Sequence, residues 1–151
     1  MKIDILFLND EMNGHDEYFD NDLFQEYCET HSFEGKKNQI LSVPPSYSKS
    51  ENLTLIVGLG ENKEDINFYD LGTLIGSKIN SDAEIKFLNN EGDANLIVDV
   101  ILYVQYKFNN YKSDDDTSIN NITFQDLDSS ENEIKKHSVF WVRDLINTPA
   151  L

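Results

Sequence analysis

Positive charge is what this chain has least of. Lys and Arg number 12 against 28 Asp and Glu, for a net charge of −16. Residues 10–34 hold nine of the acids (Asp10, Glu11, Asp16, Glu17, Asp20, Asp22, Glu26, Glu29 and Glu34) and no Lys or Arg. Phosphate backbones and anionic membranes need clustered Lys and Arg, so neither nucleic acid nor a membrane is an expected partner. Cysteine is nearly absent too. Cys28 alone permits no internal disulfide, which fits a reducing compartment. Flanked by Tyr27 and Glu29, with no cation near, it reads as a buried structural residue. No apolar run approaches the ~20 residues of a membrane span. Met1-Lys2-Ile3-Asp4 carries charge where a signal peptide would start its apolar region. A soluble, cytoplasmic protein is expected.

Chemical signatures are equally scarce. His15, His31 and His137 show no i, i+4 pairing and no Cys partner at zinc spacing. His15 and His31 flank an acidic helix and read as surface residues. His137 reads as a plain helix residue that could reach a partner domain. No Gly-x-Ser-x-Gly or His-Glu-x-x-His occurs, which removes support for a serine hydrolase or a zincin. Asp114, Asp115 and Asp116 lack the alternation and glycine of a calcium loop, so they read as a solvated loop. The residues themselves therefore assign no catalytic, cofactor-binding or metal-binding position.

What is present suffices for a core. Apolar residues make up 39% and aromatics 11% of 151 residues, and no repeat or composition shift divides them; one domain over 1–151 is expected. The organising stretch is Leu53–Asn80. Leu53, Leu55, Ile56 and Val57 suit a strand buried on both faces, ended by Gly58 and Gly60 at a sharp turn. Leu71, Leu74, Ile75 and Ile79 then fall on one face of a helix, within which Gly72 and Gly76 predict close packing. Strand, glycine turn and helix make a βα unit, and an α/β chain.

The rest of the sequence can be read around that unit. Ile3–Leu8 is a first strand, followed by a turn at Asn9–Gly14. Phe19, Leu23 and Tyr27, flanked by Phe24 and Cys28, give the buried stripe of a helix within His15–Thr30, with a solvated acidic outer face. Phe33–Val43 is extended, up to a break at Pro44-Pro45, and Tyr47–Asn52 is a polar loop. Ala83–Leu88 is a strand ending at Asn89-Asn90-Glu91-Gly92. Asp93–Tyr111 favours strand by propensity, yet its length and the spacing of Ala94, Ile97, Val98, Ile101, Gln105 and Phe108 predict a helix. Ile119–Leu127 is a last strand. Ser130 and Glu133 form a capping box, opening a helix with a buried face of Ile134, Ser138, Trp141 and Leu145. It ends near Asn147, because Pro149 disfavours helix at Thr148. The chain stops at Leu151 and reads as a cut in a longer protein.

Four of these pieces resemble, in order, the leucyl (cytosol) aminopeptidase family. Phe33-Glu34-Gly35-Lys36-Lys37 resembles its Phe-x-Gly-Lys strand entry, and Val57-Gly58-Leu59-Gly60 its Val-Gly-Leu-Gly turn. Leu102–Lys112, with Tyr106, Phe108, Tyr111 and Lys112, resembles its Leu-x-x-Tyr-x-Phe-x-x-Tyr-Lys helix end. Val142-Arg143-Asp144-Leu145-Ile146-Asn147-Thr148-Pro149-Ala150 resembles the run that closes the helix joining its two domains. The resemblance implies a three-layer fold, a mixed β-sheet flanked by helices and similar to the macro domain. It makes 130–147 the helix linking to an absent C-terminal catalytic domain. Family members are metallo-exopeptidases that remove N-terminal residues from peptides. Two divalent cations, zinc or manganese, are held in that absent domain by Asp, Glu and Lys. Its Asn-Thr-Asp-Ala-Glu-Gly-Arg signature has no counterpart here, so no catalytic or metal-binding residue carries over. The implied partners are the catalytic domain of the same chain and, for the intact protein, a homohexamer. A different class stays open: a free-standing macro-like module binding ADP-ribose or a related nucleotide, at a Gly58-Leu59-Gly60 turn whose neighbours Glu61, Glu64 and Asp65 oppose phosphate. A pure assembly or adaptor role is the third reading.

Overall fold

The computed structural model describes residues 1–89, 94–105, 120–125, 127 and 130–147. The strands β1 (Lys2–Asn9), β2 (Ile40–Val43), β3 (Leu53–Gly60), β4 (Ala83–Phe87) and β5 (Ile122–Phe124) form one sheet in the order β2-β3-β1-β4-β5. β1, β3, β4 and β5 run parallel, and β2 pairs antiparallel with β3 at one edge. The sheet is mixed, as expected. β1 sits at its centre, with Ile3 opposite Leu53 on one side and Ile85 on the other.

Strand order decides where the helices α1 (Asn21–Thr30), α2 (Phe68–Ser77) and α3 (Ala94–Val104) go. The chain steps from β1 outward to β3, then back across β1 to β4 and on to β5. Right-handed crossovers taken in opposite directions put their helices on opposite faces. Accordingly α1 packs Phe24 and Cys28 against Leu6, Leu8 and Ile56. On the other face α2 and α3 pack Leu71, Ile75, Ile97 and Ile101 against Ile5, Leu55, Val57 and Ile85. Strands covered on both faces are apolar at consecutive positions, which is why Leu53–Val57 is legible without alternation.

Local chemistry sets the helix starts. Asp20 accepts from the Asp22 and Leu23 amides, and Asn67 from those of Tyr69 and Asp70, each an N-cap. Gly72 and Gly76 let α3 approach α2 closely. A Cβ on Gly72 would lie 2.6 Å from Val100 Cβ, and one on Gly76 3.0 Å from Val104 Cβ. Pro44 is extended, with φ −69 and ψ 159, where the chain leaves the sheet, and Pro45–Tyr47 then makes a single 3₁₀ turn in the stretch expected to be loop.

Two helix faces differ from those expected. α1 begins at Asn21, inside the expected His15–Thr30 stretch but after Phe19, which therefore does not share its phase. Leu23 is exposed and Tyr27 half-buried, while Phe24 and Cys28 carry the contact; Phe19 still reaches the core by stacking on Phe24 at 4.5 Å. The larger correction is α4 (Ser130–Asn147). Its expected inner residues Ile134, Trp141 and Leu145 are 68%, 65% and 55% exposed, and Ser138 is exposed as well. The face on α3 holds Asn132, Lys136 and Phe140, all buried. Two residues correspond to about 200° around a helix, so the face inferred from apolar spacing is the opposite one. Polar groups on α3 decide the matter. Asn132 Nδ2 donates to Asp99 Oδ1 at 2.7 Å and to the Asn95 carbonyl at 3.3 Å. Lys135 Nζ lies 3.5 Å from Asp99 Oδ2, and Arg143 Nη1 donates to the Tyr103 carbonyl at 3.0 Å. A buried carboxylate without donors costs more than an exposed apolar side chain.

α3 is buried over six successive residues, Ile97–Leu102, because α2, the sheet and α4 enclose it; such a helix carries strand-like composition. The expected last strand shortens to Ile122–Phe124. The turn expected at Asn90–Gly92, the part of the expected helix at 106–111, the loop expected at Asp114–Asp116, and Thr148–Leu151 lie outside the described residues.

Candidate functional site

The carboxyl edge of a parallel sheet is where α/β folds bind ligands, and here β1 and β3 bring Asn9 and Gly58-Leu59-Gly60 to that edge; the three residues expected to form the turn are the last of β3, still paired with Leu8 and Asn9. The glycines answer to crowding by the backbone. A side chain on Gly58 would collide with the Lys36 carbonyl, and one on Gly35 with the Asn9 carbonyl. Gly60 has φ 78, a conformation that costs glycine little. The amide groups a phosphate would use are already engaged. Gly58 N donates to the Gln39 carbonyl at 2.8 Å and Gly60 N to the Gly35 carbonyl at 2.9 Å. The first amides of α2 go to the Asn67 side chain.

Two hollows flank this end of β3. One, of about 180 Å³, lies between Phe7, Asn9, Leu59, Gly60, Ile66 and Asn89. That is below the ~300–1,000 Å³ of small-molecule sites. Asn89, one of its lining residues, accepts from the Phe7 amide at 2.9 Å and donates to the Phe7 carbonyl at 2.7 Å. The other, about 430 Å³, is bordered by Asp10, Glu61 and Asp65 as well as Lys36 and Lys37, and Lys36 is paired with Glu34. Carboxylates outnumber cations there, so the edge does not favour a nucleotide.

The expected surface histidines are placed individually. His15 Nδ1 lies 2.6 Å from the Met12 carbonyl and Nε2 2.6 Å from Asn21 Oδ1, tying the 10–16 turn to the start of α1. His31 caps the end of α1 with its ring 4.3 Å from Tyr27. His137 is largely exposed, 4.0 Å from Glu133. Among the described residues no three His, Cys, Asp or Glu side chains come together as a metal site, so the residues present do not fit the two-cation centre that the resemblance implies elsewhere. Cys28 is free and buried, and burial pushes its thiol up to about 11. It stays protonated at neutral pH and is not a nucleophile. Among the described residues no helix is long and apolar enough to cross a membrane.

Two features escaped the sequence reading. One is the outward apolar face of α4, Ile134, Trp141, Val142, Leu145 and Ile146; its apolar spacing was visible, and only its direction was not. The other is a groove of about 570 Å³ beside α1, in the region where the acids pointed to a solvated helix face.

No family model matches the sequence, and no curated protein matches it. Solved structures do. A mutant of tomato leucine aminopeptidase matches with a TM-score of 0.65 at 14% identity, over 99% of this chain and 36% of that one. A cytosol aminopeptidase from Coxiella burnetii matches with 0.67 at 17%, over 99% and 32%. The bottromycin maturation enzyme BotP matches with 0.64 at 12%, over 98% and 33%. At these identities the likeness is one of fold. The five-stranded mixed sheet with its helices is the fold of leucine aminopeptidase N-terminal domains, and the chain spans about a third of the length of the solved chains it matches.

Proposed function

We propose that this chain is the non-catalytic N-terminal domain of a leucyl aminopeptidase-like metallo-exopeptidase, an enzyme removing N-terminal residues from peptides. The observation that carries the reading is the fold itself, which aligns over 99% of this chain with one third of an aminopeptidase. The α4 face supports it. A helix that turns polar residues inward and Ile134, Trp141, Leu145 and Ile146 outward suits a joint between two bodies. On this reading the outward face packs on the C-terminal catalytic domain, which holds two zinc or manganese ions. The N-terminal domain supplies a wall that restricts approach to the neighbouring site, and homohexamer assembly, like catalysis, belongs to the other domain.

The test is the intact open reading frame. Expressed with zinc or manganese, the full protein should release p-nitroaniline from leucine-p-nitroanilide, with activity lost to a chelator. The 151-residue chain alone should release none. Chelator-sensitive hydrolysis co-eluting with that short chain, or an intact frame without a metal-binding Asp/Glu/Lys domain, overturns the proposal.

A further inference from the structure

The outward face of α4 is complementary to itself. Ile134, Ser138, Trp141 and Leu145 follow one another at intervals of four, three and four residues, the spacing of a coiled-coil seam. Val142 and Ile146, 46% and 75% exposed, widen the stripe on one side. Ser138 does not interrupt it. Its Oγ donates to the Ile134 carbonyl of its own helix at 3.1 Å, so the hydroxyl keeps a partner when the face is covered. Consider two α4 helices paired antiparallel about a two-fold axis beside residues 139 and 140. The seam positions then meet in complementary pairs: Ile134 lies against Leu145 and Trp141 against Ser138, the largest side chain of the stripe over the smallest, and each contact occurs twice.

Charge favours the same face. Two copies at −16 each repel one another. On α4, however, Glu131, Glu133 and Asp144 are balanced by Lys135, Lys136 and Arg143, whereas α1 carries Asp22, Glu26 and Glu29 with no Lys or Arg. Area decides how strong a pairing can be. Over Ile134, Trp141, Val142, Leu145 and Ile146, at about 100–200 Å² per side chain, the exposed fractions come to roughly 500 Å² per copy. A pair would bury about 1,000 Å², the lower bound of a specific interface. We propose that this face is a homodimer interface, in which two copies of the 151-residue chain pair their α4 helices antiparallel. The small area and the net charge make the dimer weak, with a Kd of about 10–100 µM, so dilute solutions hold the monomer. The pairing does not depend on the aminopeptidase reading, under which a C-terminal domain would take the place of the second copy.

Sedimentation equilibrium and the emission of Trp141, the chain's one tryptophan, test the pairing together. Between about 5 and 500 µM chain the mass should rise from 17.4 kDa towards twice that value. Trp141 emission should move to shorter wavelength over the same range, as the indole leaves water. Salt screens the repulsion, so going from about 50 mM to about 500 mM should tighten association about threefold or more. Ile134→Glu combined with Leu145→Glu sets Glu against Glu at both ends of the seam and leaves the reporter in place. It should weaken association about thirtyfold or more. Both positions are exposed, so the variant should fold, and a melting temperature equal to the parent's at about 5 µM checks this. A monomer at about 500 µM in high salt, a dimer that the double variant leaves intact, association weakened by salt, or Trp141 emission that ignores concentration would each overturn the proposal.

Discussion

Phe140 and Trp141 are neighbours in sequence with opposite environments, and truncating each in turn measures which way α4 faces. Phe140 is 7% exposed against α3, whereas Trp141 is 65% exposed. Phe140→Ala removes a ring almost wholly out of water. At ~25 cal/mol per Å² over an aromatic side chain of about 200 Å², and in line with measured Phe-to-Ala losses, the cost is about 3–5 kcal/mol. Placement at the edge of the fold favours the lower end. For a chain of this size each kcal/mol moves the melting temperature by about 2–4 °C, so the fall should be about 6–12 °C. Trp141→Ala loses contact over about a third of its surface and should cost about 1 kcal/mol or less. Far-UV circular dichroism melts compare the two. Hydrogen exchange of the α4 amides separates local from global unfolding. If Trp141→Ala proves the more damaging change in this chain, α4 is rotated by half a turn and the argument from Asp99 and Asn132 fails. On the proposed two-domain reading, the order should narrow or reverse in the longer protein, where Trp141 would lie inside the contact.

Two further predictions follow from the packing. Gly72→Ala gains up to about 1 kcal/mol of helix propensity, but its Cβ meets Val100 Cβ at 2.6 Å, an atom that moves only with the backbone. Forcing α2 and α3 apart costs about 1–3 kcal/mol, so urea unfolding should show a net loss, and a stabilised variant would refute the close approach. Cys28, with its thiol raised to about 11, should react with a thiol-specific disulfide reagent at pH 8 far more slowly in the native chain than in the chain unfolded by urea; equal rates would place it on the surface. The sign follows from linkage. A raised thiol contributes stability that is complete below its unfolded value of 9.0 and lost as pH climbs towards about 11.

Much of the fold is set by local and periodic signals. Leu53–Val57 is a buried strand because apolar residues follow one another with turn signals behind them, and no distant contact is needed to say so. Pro44-Pro45 ends a segment by steric exclusion at the preceding residue, and Gly72 with Gly76 marks close approach because nothing else is that small. The absence of cationic clusters and of catalytic signatures was also plain in the sequence. Direction was not. The apolar stripe of α4 is real in the sequence, but which side faces the core depends on what waits there, and α3 presents Asp99 and two backbone carbonyls. Those groups need donors, so Asn132 turns inward, Arg143 reaches the Tyr103 carbonyl, Lys135 approaches Asp99 from the surface, and the apolar stripe turns out. In α1 the phase depended on where the helix starts, set by the Asp20 cap rather than by Phe19. The groove beside α1 likewise exists only after folding, because Met12 and Asp16 reach Phe24 and Phe33 through a turn and a helix. Periodicity determines which residues share a face; which face is buried is decided by the partner that the tertiary structure brings against it.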